Sequence, residues 1–265
     1  MNAEREYYEI KEFWDPARAR GTDVLRFRET EAYIPTDTAS LLDVGCGNGD
    51  FLHYIATRRN WQRLHGFDRS HAALVHVRTP KTQGDIDQLP FADREFDCVV
   101  ACEVIEHLPF TAYQAALREL ARVARQTVLI TVPAAERLRA NMIECGQCAG
   151  RFNANHHFRS FTLETMRTLF DTHGLTVVTT SGLVERTDYP GLRTLLRWKK
   201  GLPPRKNPHS FAIPCPICGA SIPGTGKAST KTAQQRWWEP YLRAAWPHFH
   251  HPRWYVGVYR CKGDA

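Results

Sequence analysis

The 265-residue chain contains three groups of residues whose types and spacing could do chemistry. The first is LLDVGCGNGDF, residues 41–51, in which Gly45, Gly47 and Gly49 follow a short apolar run and precede a predicted helix. Glycine suits such a turn because it bends tightly and leaves no Cβ between the backbone and a ligand. Asp68 ends the next apolar run, where a carboxylate can accept hydrogen bonds from ribose hydroxyls. The pattern indicates a nucleoside-containing cofactor at a strand-to-helix turn.

The charge and spacing of this turn favour S-adenosylmethionine over a dinucleotide. The glycines follow G-x-G-x-G, whereas a dinucleotide site has G-x-G-x-x-G, and residue 50 is Asp. Asp43 stands just before the turn, and its carboxylate would repel a pyrophosphate but suit a cation. S-adenosylmethionine carries a sulfonium and an ammonium and has no phosphate. The sequence therefore predicts a methyl donor and argues against a dehydrogenase.

The second group is Glu106 and His107, which follow a predicted fourth strand. Open α/β sheets bind ligands at the carboxyl ends of their strands, so this pair is placed to meet an acceptor. Histidine has a near-neutral pKa suited to proton transfer. The alternative interpretation is that the pair only shapes the turn before Pro109.

The third group consists of two C-x-x-C pairs, Cys145–Cys148 and Cys215–Cys218. Two such turns can place four thiolates around one tetrahedral zinc ion, and four protein ligands leave no open position, so the zinc would be structural. Free thiols are the alternative, as is a histidine, His156 or His157, replacing one cysteine. Disulfides are a poor default because no secretory signal is apparent.

The elements that must position these groups alternate between strands and helices. Six short apolar runs end near residues 45, 68, 85, 102, 132 and 180, with helical segments between them, and WYVGVYRC at 254–261 returns as a last strand. This alternation predicts an α/β fold with a doubly wound, mostly parallel seven-stranded sheet. The predicted parts are an N-terminal helical cap (1–39), a catalytic core (40–180), a basic zinc-tied insert or lid (181–253) and a last core strand (254–265).

From Leu41 to Leu108 the sequence closely resembles class I S-adenosylmethionine-dependent methyltransferases of the small-molecule, type 11-like branch. The resemblance is carried by D-V-G-C-G-N-G, G-F-D-R-S, G-D-I-D-Q-L-P-F-A-D-R-E-F-D-C-V-V and E-V-I-E-H-L, and it extends over about residues 40–180 with the final strand. It implies that the last of the seven strands runs antiparallel to the others.

The resemblance also implies roles for individual residues. The glycine turn, with Cys46 inside it, would hold the methionine part of the donor, and Asp43 would support its ammonium. The ribose and adenine would be held by Asp68, Arg69, Asp85 and Ile86, while Cys102 and Glu103 would close the end of the fourth strand. Asp85 could instead be a turn-forming aspartate.

NHHFRSFT, residues 155–162, resembles a G-H-x-R-x-F segment that faces the acceptor in many relatives. His157 is therefore a second catalytic candidate beside Glu106 and His107, and Arg159 could grip an anionic acceptor group. The same stretch can simply begin a helix, with Ser160 or Thr162 as its cap. Tyr7 and Tyr8, in the first predicted helix, are expected to contact the acceptor.

Composition and charge exclude several classes of protein. A chain that is 43% hydrophobic and 24% charged is neither disordered nor collagen-like, and no run reaches the roughly 20 apolar residues of a membrane span. The charged start without an apolar signal core predicts a cytoplasmic protein. The net charge is +7, yet residues 186–265 hold 14 Lys and Arg against 3 Asp and Glu. That imbalance is either a solvated face or a surface for an anionic partner.

The predicted function is methyl transfer to a small-molecule, glycan or lipid-linked acceptor, with oxygen the expected acceptor atom. The alternative is an RNA or protein methyltransferase that holds a polymer with the basic, zinc-containing insert. A non-catalytic zinc-ribbon module fits poorly with an intact donor turn. Within the insert, Leu192–Lys200 could form a weak membrane-surface helix or a lid helix packed on the core.

Overall fold

A computed structural model describes residues 3–15, 21–188, 209–224, 247 and 249–262. Its strands, in chain order, are β1 (Ser40–Val44), β2 (Arg63–Asp68), β3 (Lys81–Gln83), β4 (Phe96–Cys102), β5 (Ala124–Pro133), β6 (Met142–Glu144), β7 (Arg151–Asn153), β8 (Leu175–Asp188), β9 (Ile213–Pro214), β10 (Ser221–Ile222) and β11 (Phe249–Cys261).

Seven of these strands form one sheet in the order β3-β2-β1-β4-β5-β11-β8. The neighbouring pairs from β3 to β5 are parallel, whereas β11 is antiparallel to both β5 and β8. The predicted doubly wound seven-stranded fold with an antiparallel last strand is therefore confirmed. The strand order reverses between β1 and β4, and a ligand cleft is expected outside the carboxyl ends of strands at such a point.

Helices cover both faces of the sheet. They are α1 (Ala3–Tyr8), α2 (Gly21–Glu31), α3 (Asp50–Ala56), α4 (His71–Leu74), α5 (Phe110–Val123) and α6 (Leu163–Arg167), with short 3-10 turns at Lys11–Phe13, Ile105–His107 and Leu138–Asn141. One apolar core packs α5 and α6 against the sheet, and a second packs α2 and α3 against the opposite face. Within the described ranges, no helix is both long and apolar enough to cross a membrane.

The sheet extends further than the sequence predicts at two places. Strand β8 continues to Asp188 instead of ending at 180, and β11 begins at Phe249 instead of 254, so that Asp188 pairs with Phe249 and Leu183 with Trp254. Residues 181–188 and 249–253 therefore belong to the sheet and not to the insert. The reason is that β8 is an edge strand, whose mixed polar and apolar residues hide the usual strand pattern. The segment Leu192–Lys200 lies outside the described residues.

Asp97 ties together three strands at the amino edge of the sheet. Its buried carboxylate accepts hydrogen bonds from the backbone N–H of Ala39 (3.1 Å) and Ser40 (2.8 Å) and from the Ser40 hydroxyl (2.9 Å). Arg125, at the start of β5, donates to the other carboxylate oxygen at 2.7 Å. These bonds fix the start of β1 to β4 and β5.

We expect Asp97→Ala to lower the free energy of unfolding by about 1–3 kcal/mol, because two backbone N–H groups and an arginine lose a shared acceptor. Asp93→Ala is the matched control, since Asp93 pairs with Arg122 but its side chain is 77% exposed. Its loss should cost no more than about 1 kcal/mol. Urea unfolding followed by circular dichroism measures both, and equal effects would contradict the role given to Asp97.

Candidate active site

Two adjoining hollows open at the carboxyl edge of the sheet, where β1 and β4 end. Their volumes are about 390 Å³ and about 330 Å³, and both are lined by Gly45 and Glu103. The first also contains the predicted residues Tyr8, Asp68, Arg69, Asp85, Ile86 and His107. The second contains the predicted residues Asp43, Cys46, Gly47 and Cys102. Most of the residues predicted for the donor therefore meet in one divided cleft.

The glycine turn adopts backbone angles that favour glycine. Gly45, Gly47 and Gly49 have φ values of 74°, 55° and 81°. A Cβ on Gly47 would lie 2.7 Å from the ring of Trp14, so this ring packs directly against the turn. Gly49, however, lines neither hollow: it precedes α3, and a Cβ there would meet Val77 at 3.1 Å. Gly49 thus begins the helix, and its contact with the donor stays a prediction.

Asp68 joins the glycine turn to the end of β2. Its buried carboxylate accepts hydrogen bonds from the backbone N–H of Gly47 and Ser70, each at 2.8 Å. Burial raises the pKa of Asp68, although these two donors oppose the rise. The carboxylate is held rigidly at the wall of the first hollow, where its remaining lone pairs can accept from a ligand.

The predicted adenine residues form an ion-pair group with α1. Asp85 lies 3.1 Å from the guanidinium of Arg5 and 3.6 Å from that of Arg69. Arg69 also faces the ring of Tyr8, with 5.8 Å between the guanidinium carbon and the ring centre. Arg5 was not predicted, and it brings the N-terminal segment directly onto the first hollow.

The second hollow contains buried charges of both signs. Burial and, to a smaller extent, the carboxylate of Asp68 raise the pKa of Asp43 to about 7, against the opposing effect of Arg26. Burial also raises the pKa of Glu103. One Glu103 oxygen accepts from Trp254 at 2.7 Å, while the other has no partner among the described residues.

Arg26, on α2, lines the second hollow and is another charged residue that the sequence did not predict. Its guanidinium stands 5.3 Å from the ring centre of Trp254 and 5.2 Å from that of Phe27. Its Nε and Nη1 are buried and have no hydrogen-bond partner within the described part of the chain. A buried guanidinium with unused donors beside a hollow is equipped to bind a carboxylate.

Glu106, His107 and His157 come together behind the first hollow. Glu106 and His107 lie on the 3-10 turn Ile105–His107, and the rings of His107 and His157 are 4.5 Å apart. One potential ligand atom from each of the three residues lies within 4.8 Å of the others. His157 Nδ1 pairs with Glu136, a residue that the sequence analysis missed. The three predicted catalytic residues thus form one cluster, in which only His107 lines a hollow.

Arg159 has a different position from the one predicted. Its Nη1 donates to the backbone carbonyls of Ile105 (2.8 Å) and Leu108 (2.7 Å), and its guanidinium lies 3.8 Å from the ring centre of Tyr113. It lines neither hollow. These contacts hold the turn that carries Glu106 and His107, while the Nη2 of Arg159 is buried without a partner among the described residues, so its grip on an anionic acceptor stays a prediction.

The two predicted acceptor tyrosines face different environments. Tyr8 lines the first hollow, where its ring meets that of His107 edge-on. Tyr7 is 3% exposed and stacks on His156, with 3.7 Å between ring centres. Its prediction as an acceptor contact is not supported, because α1 turns it away from the cleft.

The four cysteines of the C-x-x-C pairs meet in space. Sulfur–sulfur separations are 3.7 Å for Cys145 and Cys218 and 3.8 Å for Cys148 and Cys215. Zinc–sulfur bonds of about 2.3 Å place the corners of a tetrahedron about 3.8 Å apart, so the thiolates fit this ion.

The two cysteine turns also share one backbone pattern. In each, the N–H four residues after the first cysteine donates to that cysteine's carbonyl: Ala149 to Cys145 at 2.9 Å and Gly219 to Cys215 at 2.8 Å. One turn connects β6 to β7 and the other connects β9 to β10. The parallel directions of β5 and β8 send both loops from the same edge of the sheet, as predicted.

Comparisons with known proteins agree with this geometry. Residues 12–180 match a family described as a methyltransferase domain. The chain is 34% identical over 95 residues to 27-O-demethylrifamycin SV methyltransferase of Amycolatopsis mediterranei, covering 32% of this chain and 34% of that protein. It is 30% identical over 106 residues to fatty-acid O-methyltransferase of Mycolicibacterium smegmatis, covering 37% and 38%. The matches thus span little more than a third of these curated relatives.

A solved structure shows the same fold over nearly the whole chain. An S-adenosylmethionine-dependent methyltransferase from Archaeoglobus fulgidus is similar with a TM-score of 0.56 at 15% identity, covering 96% of this chain and 99% of that one. At this identity the likeness concerns the fold alone.

The pKa of Asp43 has a consequence for stability. Since the folded protein holds the Asp43 proton more tightly than the unfolded chain, this group's contribution is complete below about pH 4 and is lost as the pH rises to about 7. Relative to Asp43→Asn, the wild-type free energy of unfolding should fall across this range, by at most about 1.4 kcal/mol per pH unit. Urea unfolding of both proteins provides the measurement. A constant difference from about pH 4 to 7 would contradict the buried, protonated state.

Proposed function

This chain belongs to the methyltransferase-domain family, and on that basis we propose that it transfers the methyl group of S-adenosylmethionine to an oxygen atom of a small-molecule or lipid-derived acceptor. S-adenosylmethionine supplies, when bound, a methyl group on a sulfonium that is already activated for displacement. The observation that carries the proposal is the divided cleft, in which Arg26, Asp43 and Glu103 surround one hollow and Asp68 and its neighbours surround the other.

The second hollow suits the amino-acid end of the donor. The unused Nε and Nη1 of Arg26 can donate to a carboxylate, while the carboxylates of Asp43 and Glu103 can accept from an ammonium. Gly45 and Gly47 leave room for the chain between these ends, because neither carries a Cβ. Such a site binds opposite charges at its two sides and disfavours a pyrophosphate.

The first hollow suits the adenosine. Asp68 is rigidly oriented by two backbone donors and can accept from ribose hydroxyls. Asp85, held by Arg5 and Arg69, stands where it can accept from an exocyclic amine, and Ile86 borders the same space. The N-terminal segment shares this wall, so the donor is enclosed from the side of α1 as well as from the sheet.

An acceptor would meet the methyl group near Glu103, His107 and Tyr8, which lie around the mouth of the first hollow. Methyl transfer is an in-line displacement, in which positioning supplies much of the rate. A hydroxyl acceptor must also lose its proton, and the lone pairs of the Glu106–His107–His157 cluster are the groups available to promote that loss.

Oxygen as the acceptor atom is supported by the two named relatives, one a fatty-acid O-methyltransferase and the other a methyltransferase of 27-O-demethylrifamycin SV. Neither name fixes the acceptor here, since each match covers little more than a third of the relative. The polymer alternative depends on basic residues between 186 and 265, most of which lie outside the described ranges. The proposed membrane-surface helix Leu192–Lys200 falls in the same gap.

A structural zinc ion at the four cysteines is a second part of the proposal. It is supported by the tetrahedral spacing of the sulfurs and by the paired backbone pattern of the two turns. Bound there, zinc would fasten the β9–β10 hairpin to the loop that follows β5. His156 does not substitute for a cysteine, since all four sulfurs are already grouped together.

The donor assignment predicts tight binding of S-adenosylhomocysteine in calorimetry. Asp68→Ala should weaken it several-fold or more, and Arg26→Ala should weaken it about tenfold or more by removing charge-assisted hydrogen bonds. Arg28→Ala, an exposed arginine on the same helix, is the matched control and should bind normally.

The activity itself is tested by intact-mass analysis of products formed with isotopically labelled donor. Acceptors bearing a hydroxyl or carboxyl oxygen should gain one labelled methyl group, whereas amine analogues should not. Label that enters RNA or protein instead would refute the small-molecule proposal. Binding of NADH without binding of S-adenosylhomocysteine would refute the donor.

The zinc assignment predicts about one zinc ion per chain by elemental analysis. Cys218→Ser should lose most of the metal and lower the melting temperature, because a structural site contributes its binding energy to folding. Cys261→Ser is the control, since Cys261 lies in β11 away from the four sulfurs. A zinc-free wild-type protein with unchanged stability would contradict the assignment.

A further inference from the structure

Glu106 is a buried acid that lacks a hydrogen-bonded counterpart among the described residues. Its residue is 1% exposed, and neither carboxylate oxygen has a hydrogen-bond partner within the described residues. Burying an unpaired carboxylate is costly, so the group must either keep a proton or meet a cation. The question is which of these two solutions its surroundings favour.

The charges around Glu106 favour a cation. Glu103 and Glu136 are its neighbouring carboxylates, and Arg26 and Arg159 are its neighbouring cations. Three carboxylates thus meet two guanidinium groups. A cation at the Glu106 oxygens would balance the remaining negative charge.

The hydrogen bonds of His107 and His157 leave one ring nitrogen of each without a proton, and His107 is the first of the two. Backbone groups of Asn155 and His156 bond the His107 ring, and since Nδ1 has no partner among the described residues, these contacts involve Nε2. Backbone carbonyls accept a proton from Nε2, which leaves Nδ1 as a bare lone pair.

His157 is oriented in the corresponding way. Its Nδ1 pairs with the Glu136 carboxylate, so Nδ1 carries the proton and Nε2 carries the lone pair. A carboxylate or carbonyl behind each imidazole is the usual support of histidines that bind metals, because it fixes the tautomer and makes the free nitrogen more basic.

We propose that Glu106, His107 and His157 form a site for one divalent first-row metal ion beside the acceptor position. Their ligand atoms lie within 4.8 Å of one another. Bonds of about 2.1 Å separate opposite ligands by roughly 4.2 Å, so small side-chain movements close the site. This set of two imidazoles and a carboxylate is distinct from the four thiolates, which select softer ions.

Three protein ligands leave coordination positions open, which is the property of a site that binds substrate. The inference rests on the proposed function, and it makes His107 a ligand instead of a direct base. A metal ion held there would make an acceptor hydroxyl at an open position more acidic, so that the hydroxyl could give its proton to water. Its oxygen would then form the new C–O bond, while the C–S bond of the donor would break with its electron pair remaining on sulfur.

The test is a titration of the zinc-loaded protein with Mn²⁺, followed by the loss of the free-ion electron paramagnetic resonance signal. Mn²⁺ is chosen because carboxylate and imidazole ligands suit it better than thiolates do. One ion per chain should bind. Glu106→Gln and His157→Ala should each weaken binding at least tenfold, and Glu136→Gln should weaken it by a similar factor through the orientation of His157.

His173→Ala is the matched control, since this histidine contacts Gln114 at 3.2 Å on another part of the surface. Binding that is absent in the wild type, or unchanged in Glu106→Gln and His157→Ala, would overturn the inference and leave Glu106 as a protonated acid. Should the variants fail to fold, nuclear magnetic resonance of the wild type decides. Mn²⁺ must broaden the ring signals of His107 and His157 first, and broadening of other histidines alone would overturn the site.

Calorimetry with S-adenosylhomocysteine separates this inference from the proposed function. Glu106→Gln should retain donor binding, because Glu106 lines neither hollow. A protein that binds Mn²⁺ at these residues but no S-adenosylhomocysteine would keep the metal site and refute methyl transfer. A protein that binds S-adenosylhomocysteine but no Mn²⁺ would refute the metal site and keep the proposed methyl transfer.

Discussion

The concentration of buried carboxylates at one edge of the sheet is the constraint on which the site depends. Asp43, Glu103 and Glu106 all lie where strands β1 and β4 end, and burial raises the pKa of each. Such an arrangement destabilises the fold unless counter-charges are close, and Arg26 is one of them. A bound cation would balance the acids further, which is consistent with the donor proposed for the cleft, with its ammonium and sulfonium, and with the metal ion proposed for the cluster behind it.

The four-cysteine site and the cleft are parts of one structure because an aromatic cluster joins them. Tyr7 packs with Cys145, Phe152, Ile213 and Cys215 in a separate core, and it stacks on His156, the neighbour of His157. Tyr8, the next residue of α1, lines the cleft. The position of α1 at the first hollow and the position of His157 beside His107 therefore both depend on the hairpins that carry the cysteines.

Local patterns in the sequence were enough for the sheet, the glycine turn, Asp68 and the four cysteines, because each of these depends on short spacing or strand alternation. Arg26 and Glu136 escaped notice, since their roles come from contacts between elements far apart in the chain and no spacing marks them. Arg159 was assigned to the acceptor because its segment resembles one that faces the acceptor in many relatives, and Tyr7 was assigned to it within the first predicted helix. Their side chains turn to backbone carbonyls and to His156 instead, a choice set by packing.

The position of β11 has a consequence for how the chain assembles. This last strand lies between β5 and β8, both of which precede it in the chain. During synthesis, strands β1 to β5 can associate early, but the open edge of β5 has no partner until residues 249–261 have left the ribosome. Such long-range pairing is slow and leaves an exposed strand edge prone to aggregation. Nascent chains of this protein therefore carry an incomplete sheet until β11 has been synthesised.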